Sequence, residues 1–113
     1  MNVNREAIDV VMCEYKDLFQ QFTDLDKILL CLKTKGVIQK DEYEELVQDV
    51  TGKKRRQADF LLKKIPEGKD DAFLNFLRCL LEHEYKDHIE KLLKSMESKD
   101  QAFAAFLRNR KCY

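Results

Sequence analysis

Apolar residues return at steps of three and four along nearly all of this 113-residue chain, and nowhere do they alternate with polar ones at a period of two. The first spacing lines up one face of an α-helix, and the second would line up one face of a strand. The first stripe is Ile8, Val11, Met12, Tyr15, Phe19 and Phe22, with Val10 and Leu18 beside it, so a bend is expected to bury both. Thr23 stands where a cap belongs, and Asp24 and Asp26 follow in the first turn of a second helix. Its stripe is Leu25, Ile28, Leu29 and Leu32, widened by Leu30 and Cys31. Lys33-Thr34-Lys35-Gly36 closes it, with basic side chains at the negative end of the helix dipole and a glycine suited to a left-handed C-cap.

Val37 and Ile38 lie in a connector too short for a paired strand and read as a plug in the core. A third helix starts at Asp41 with Tyr43, Leu46, Val47 and Val50 inward and its carboxylates outward, until Thr51-Gly52 breaks it. The fourth runs from Lys53 to Ile65 with Ala58, Leu61, Leu62 and Ile65 on one face, and Pro66 and Gly68 are expected to stop it. Phe73, Phe76, Leu77, Leu80 and Leu81 form the most hydrophobic stripe, which predicts the central helix of the core. A sixth helix begins near Lys86 and carries Ile89, Leu92, Leu93 and Met96. The expectation is an all-α bundle. Only 4 of 113 residues are Gly or Pro, which suits short loops.

The tail repeats an earlier segment. Glu67-Gly-Lys-Asp-Asp-Ala-Phe-Leu-Asn-Phe-Leu-Arg78 returns as Glu97-Ser-Lys-Asp-Gln-Ala-Phe-Ala-Ala-Phe-Leu-Arg108, identical at eight of twelve positions. Two copies do not make a solenoid, which needs about three or more units. Residues 99–110 read as a seventh, weaker helix that packs on the bundle or on a partner, the plainer alternative being a frayed remnant of a linker. The chain is therefore divided into a domain at 1–96 and a C-terminal extension at 97–113.

Composition excludes several functions. With 21 basic and 21 acidic side chains the net charge is zero, so the whole chain has no bias toward nucleic acid or an anionic membrane. The Lys53–Arg56 run lacks interleaved aromatic residues and adjoins an acidic helix, which argues against a nucleic-acid surface. Cys79 and His83 stand i, i+4 with His88 nearby, but no Cys-x-x-Cys pair completes a zinc site, and no metal or other cofactor is expected. Glycine-rich phosphate loops, Gly-x-Ser-x-Gly and His-Glu-x-x-His are absent, so no enzyme is expected. No run approaches the ~18 apolar residues of a membrane span. The tail residues Phe103, Phe106, Leu107, Arg108, Arg110 and Lys111 hint only weakly at a membrane-surface helix. Cys13, Cys31 and Cys79 fall inside apolar helical patterns, and no apolar leader precedes them. A reduced, cytoplasmic protein is expected, with Cys112 as its exposed thiol.

Charge is segregated locally. The third helix carries Asp41, Glu42, Glu44, Glu45 and Asp49, whereas Lys53 to Lys64 holds six basic residues and one acidic, Asp59. Adjacent helices of opposite sign on one small domain are what a molecule needs to bind its own copies head to tail. The plainer reading is a pair of ordinary solvated faces.

Two passages resemble the caspase recruitment domains of the death-fold superfamily. Leu32-Lys-Thr-Lys-Gly36-Val37-Ile38-Gln-Lys-Asp-Glu-Tyr-Glu-Glu-Leu46 resembles that family's junction of the second and third helices. Leu61-Leu62, Ile65-Pro66, Gly68 and Ala72-Phe73-Leu-Asn-Phe76-Leu-Arg-Cys-Leu80 resemble its passage from the fourth helix to the fifth. His83-Glu-Tyr85-Lys-Asp87 is also similar, and the likeness covers about residues 5 to 96. The Arg-x-Asp-Leu word of death effector domains is not found. The resemblance implies a six-helix antiparallel Greek-key bundle. It also implies a non-enzymatic module that binds itself or another such domain in apoptotic or inflammatory signalling, as adaptor, nucleator or decoy. On the family's pattern the basic patch would be Lys53, Lys54, Arg55, Arg56 and Lys63. The acidic patch would be Asp24, Asp26, Asp41, Glu42, Glu44 and Glu45. The first helix fits the basic patch poorly, since Glu6, Asp9, Glu14 and Asp17 outnumber Arg5 and Lys16.

Overall fold

A computed structural model describes residues 4–14, 16, 25–48, 53–67 and 72–109, the side chains of Lys53 and Lys54 excepted. The described residues form α1 (Arg5–Glu14), α2 (Leu25–Thr34), α3 (Lys40–Gln48), α4 (Lys53–Glu67), α5 (Ala72–Glu82), α6 (Lys86–Lys99) and α7 (Gln101–Asn109), with no strand among them. α1 closes the bundle by packing on α4 and α6, and α2 reaches past its neighbour α3 to α5. α5 lies against α2, α4 and α6. The central place expected for it is borne out: Phe73, Phe76, Leu77, Cys79 and Leu80 are almost wholly buried.

Local chemistry sets the joints. At the end of α2 the Gly36 N–H donates to the Lys33 carbonyl at 3.0 Å and the Val37 N–H to that of Leu32 at 2.9 Å. With Gly36 at φ +82° this is a Schellman turn. It aims Ile38 into the core, at 2% exposed, with Val37 packed beside it. The same turn ends α5, where the Glu84 N–H donates to Leu81 and the Tyr85 N–H to Leu80. There the left-handed position, φ 66°, is held by Glu84 instead of a glycine.

Two helix N-termini are tied to one another. Asn4 caps α1 through its Oδ1, which accepts the Ala7 N–H at 3.0 Å, and Asp100 caps α7 by accepting the Phe103 N–H at 3.0 Å. The Asn4 amide then donates to Asp100 Oδ2 at 2.9 Å, joining chain positions 96 residues apart. α7 packs on α6, and Phe103, Ala104 and Leu107 belong to the same hydrophobic cluster as the rest of the core. Arg108 adds bonds to Glu97 at 2.8 Å and Glu90 at 3.2 Å. The helix expected at 99–110 forms and packs on the bundle.

Several expectations change. Val10 is 42% and Leu30 46% exposed, because Ala7, Ile8, Val11 and Met12 already fill the inner face of α1, and Leu25, Ile28, Leu29 and Leu32 that of α2. Cys13 is exposed instead of lying in an apolar interior, Cys31 is half-buried, and Cys79 alone among the described cysteines is fully enclosed, Cys112 lying outside the described residues. α4 runs through Pro66 to Glu67, since the ring removes a single backbone bond in the last turn. Leu62, Tyr43 and Val47 are half-buried. Tyr15, Leu18, Phe19, Phe22, Thr23, Asp24, Val50 and the Thr51-Gly52 break lie outside the described residues.

Candidate functional site

The charged surface is built around the seam between α3 and α4. Gln39 caps α3, and Glu42, three residues on, turns its Oε1 back to accept the Gln39 N–H at 2.9 Å, one half of a capping box. The other oxygen of Glu42 meets the Lys64 ammonium of α4 at 3.2 Å. One turn further along α3, Glu45 pairs with the Arg56 guanidinium at 3.0 Å. The two helices of opposite sign are thus joined to each other within one molecule.

These two pairs differ in kind. Lys64 and Glu42 are about one-third exposed, at 32% and 29%, and act as a strap across the seam. Arg56 and Glu45 are at 44% and 71%, where an ion pair contributes ~0 to 1 kcal/mol and can be exchanged for an intermolecular one. Beneath them Gln57, 2% exposed, donates from Nε2 to Asp26 of α2 at 2.6 Å and to the Leu46 carbonyl of α3 at 3.3 Å. A buried amide thereby locks three helices in register, which holds the charged surface in one shape.

The expected patch residues therefore have distinct settings. Arg55 and Lys63 are exposed, and neither makes an ion pair with the described residues. Lys53 and Lys54 stand in the first turn of α4, and Asp24 lies outside the described residues. Asp41 and Glu44 are exposed, with Lys40 3.9 Å from Glu44. Asp26 is half-buried and engaged by Gln57, so it supports the surface more than it presents charge. Sequence reasoning overlooked Gln57. Its signal was legible: a polar residue four before Leu61, on the apolar stripe of the fourth helix.

On the far side of the bundle, Cys31 of α2 donates its thiol to Glu82 of α5 at 2.9 Å, and Glu82 pairs with Lys35 at 3.1 Å. Those two bonds hold the Glu82 carboxyl below its ordinary range. Burial pushes the Cys79 thiol well above its usual value, and burial likewise raises Cys31, so both are thiols and poor nucleophiles. No group of three His, Cys, Asp or Glu able to hold a metal occurs among the described residues. None of their helices is long and apolar enough to cross a membrane.

The family model of the caspase recruitment domain matches residues 9–95, most of the chain. No curated protein and no solved structure matches it. Domains of this kind are non-enzymatic and bind other domains of the same kind. The match spans α1 to α6, including the capped α2–α3 junction, the charged α3–α4 seam and the buried α5 on which the resemblance rested, and the chain belongs to the caspase recruitment domain family.

Proposed function

We propose that this domain assembles with copies of itself, or with another caspase recruitment domain, in apoptotic or inflammatory signalling in the cytoplasm. The basic flank of α4 (Lys53, Lys54, Arg55, Arg56 and Lys63) meets the acidic flank of α3 in a neighbour, Asp41, Glu42, Glu44 and Glu45, with Asp24 and Asp26 of the second-helix region. The observation that carries this reading is the exposed, exchangeable Arg56–Glu45 pair. Its two side chains are of the kinds that would meet between molecules, and Arg55 and Asp41 stand exposed on the same two helices. Charge complementarity of this kind sets partner choice and encounter rate, and salt weakens it. No nucleic acid or membrane partner enters this account.

Sedimentation velocity in reducing buffer at low and high salt tests it, with Arg55→Glu/Arg56→Glu alongside the natural sequence. Self-association that weakens at least tenfold on salt addition and on charge reversal supports the assembly reading. A chain that remains monomeric at high concentration and low salt defeats it in favour of a decoy that engages a different caspase recruitment domain.

A further inference from the structure

Two cysteines meet where α2 packs on α5, with Cys79 inside the hydrophobic core and Cys31 against it. The Cys79 thiol donates to the Cys31 sulfur, and the Cys31 thiol donates in turn to Glu82 Oε2 at 2.9 Å. The other oxygen of Glu82 accepts from the Lys35 ammonium at 3.1 Å. Glu82 follows Cys79 by three positions and Lys35 follows Cys31 by four, so each thiol and the charge near it stand one turn apart. Two thiols, a carboxylate and an ammonium thus form one hydrogen-bonded chain across the α2–α5 seam.

Only one end of the thiol pair faces water. Cys31 is half-buried and lines an open groove of about 300 Å³ with Leu30, Lys35, Glu82 and His83. Cys79 is 0% exposed and lies behind it. A small oxidant entering the groove therefore meets Cys31 first. A reachable sulfur backed by a second one in contact is the arrangement that turns oxidation of the first into a bond with the second. Nothing in the self-assembly reading uses these two thiols.

We propose that Cys31 and Cys79 are a redox-modifiable pair, which hydrogen peroxide converts into a disulfide joining α2 to α5 within one molecule. The Cys31 thiol passes its proton to Glu82 as its sulfur attacks one peroxide oxygen. The O–O bond breaks, Cys31 becomes a sulfenic acid, and the departing hydroxide takes the proton as water. The Cys79 sulfur then displaces the hydroxyl from Cys31. The S–S bond forms, the S–O bond breaks, and the Cys79 proton leaves with the hydroxyl as a second water. The pair gives up two electrons and the peroxide accepts them. Excess small thiol reverses the bond by exchange. Burial holds both groups as thiols, so the reaction is slow and answers a sustained peroxide load. In a reducing compartment such a bond is a transient, oxidant-dependent modification and not a permanent staple. Once formed, it closes a long loop of chain and stabilises the bundle by restricting the unfolded state.

The test uses the full chain carrying Cys13→Ser/Cys112→Ser, which leaves this pair as its two cysteines. The reduced, folded protein is treated with hydrogen peroxide without denaturant, then denatured and alkylated for mass spectrometry. The expected product has lost the mass of two hydrogens, takes up no alkylating agent, and yields a peptide pair linking Cys31 to Cys79. It runs as a monomer on a non-reducing gel, keeps its helical circular dichroism, and unfolds at a higher urea midpoint than the reduced form. Dithiothreitol returns both the mass and the midpoint. Adding Cys31→Ser, which keeps a donor for Glu82, is expected to abolish the bond and the midpoint shift. The proposal is overturned if Cys31 gains oxygen while Cys79 remains free to alkylate, or if the bond joins two copies. It is equally overturned if both thiols survive a peroxide dose that pairs them in the urea-unfolded chain. A linked product with a weakened helical signal or a lowered urea midpoint also defeats it, because the bond would then have formed from an opened chain.

Discussion

Gly36 and Glu84 occupy the same left-handed position in two equivalent turns, and the difference between them is measurable. A Cβ built at Gly36 meets no atom within 4 Å, so Gly36→Ala costs only backbone strain, about 1 kcal/mol. Glu84→Gly relieves that strain and is expected to raise stability by about the same amount, read as opposite shifts of the urea midpoint. Equal and unchanged midpoints would refute the assignment of the two turns. The Gly36 turn was legible, because Lys33-Thr34-Lys35-Gly36 carries the residue chemistry of a helix end. The Glu84 turn was not, because glutamate gives no local sign of φ > 0, and the turn shows only in the bonds from the Glu84 and Tyr85 N–H groups to the Leu81 and Leu80 carbonyls. Likewise the exposure of Val10 and Leu30 depends on which neighbours fill the adjacent face, and a stripe drawn from spacing alone cannot show that.

At the scale of the helix, α1 and α7 depend on each other's caps. Asn4→Ala removes the cap of α1 and the bond to Asp100 together and is expected to cost about 1 kcal/mol. Combined with Asp100→Ala, the two losses are expected to be less than additive in a double-mutant cycle, because one shared bond is counted in both. Simple additivity would show that the caps act alone. Acid exposes the same joint. The Asn4 amide, then the Phe103 N–H, hold the Asp100 carboxyl below its ordinary value, and Ser95, then Lys99, do so for Glu14, which ties α1 to α6. A depressed folded pKa contributes stability that is present above the unfolded carboxylate value, about 4, and lost as pH falls through the lower folded value. Urea midpoints are expected to fall below about pH 4, and Asp100→Asn, which keeps the cap, should flatten part of that limb. An unchanged limb would remove Asp100 as a cause. The sequence showed α7 through its repeat of the α5 words, since Phe103 and Leu107 repeat the spacing of Phe73 and Leu77. It did not show the Asn4–Asp100 bond, because contacts between residues so far apart follow only from the closed bundle.

At the scale of the whole molecule, zero net charge hides a surface divided by sign. The all-α class and the order of helices were legible from periodicity, because each stripe needed a partner and the loops were short. The separation of acidic α3 from basic α4 was legible as well. What spacing could not reveal is that the two helices pack side by side and neutralise part of each other, through Arg56–Glu45 and Lys64–Glu42. That leaves Arg55, Lys63 and Asp41 as exposed charges of these two helices with no ion pair to the described residues. A rigid body with unlike mating surfaces has no geometric reason to stop at two copies unless rotation closes a ring. The most direct test is therefore static light scattering against concentration in reducing, low-salt buffer, with negative-stain microscopy of the same samples. The account predicts a weight-average mass that climbs without a plateau, extended particles, and collapse to monomer at high salt. A mass that levels off at two copies, or that never rises above one, would contradict it.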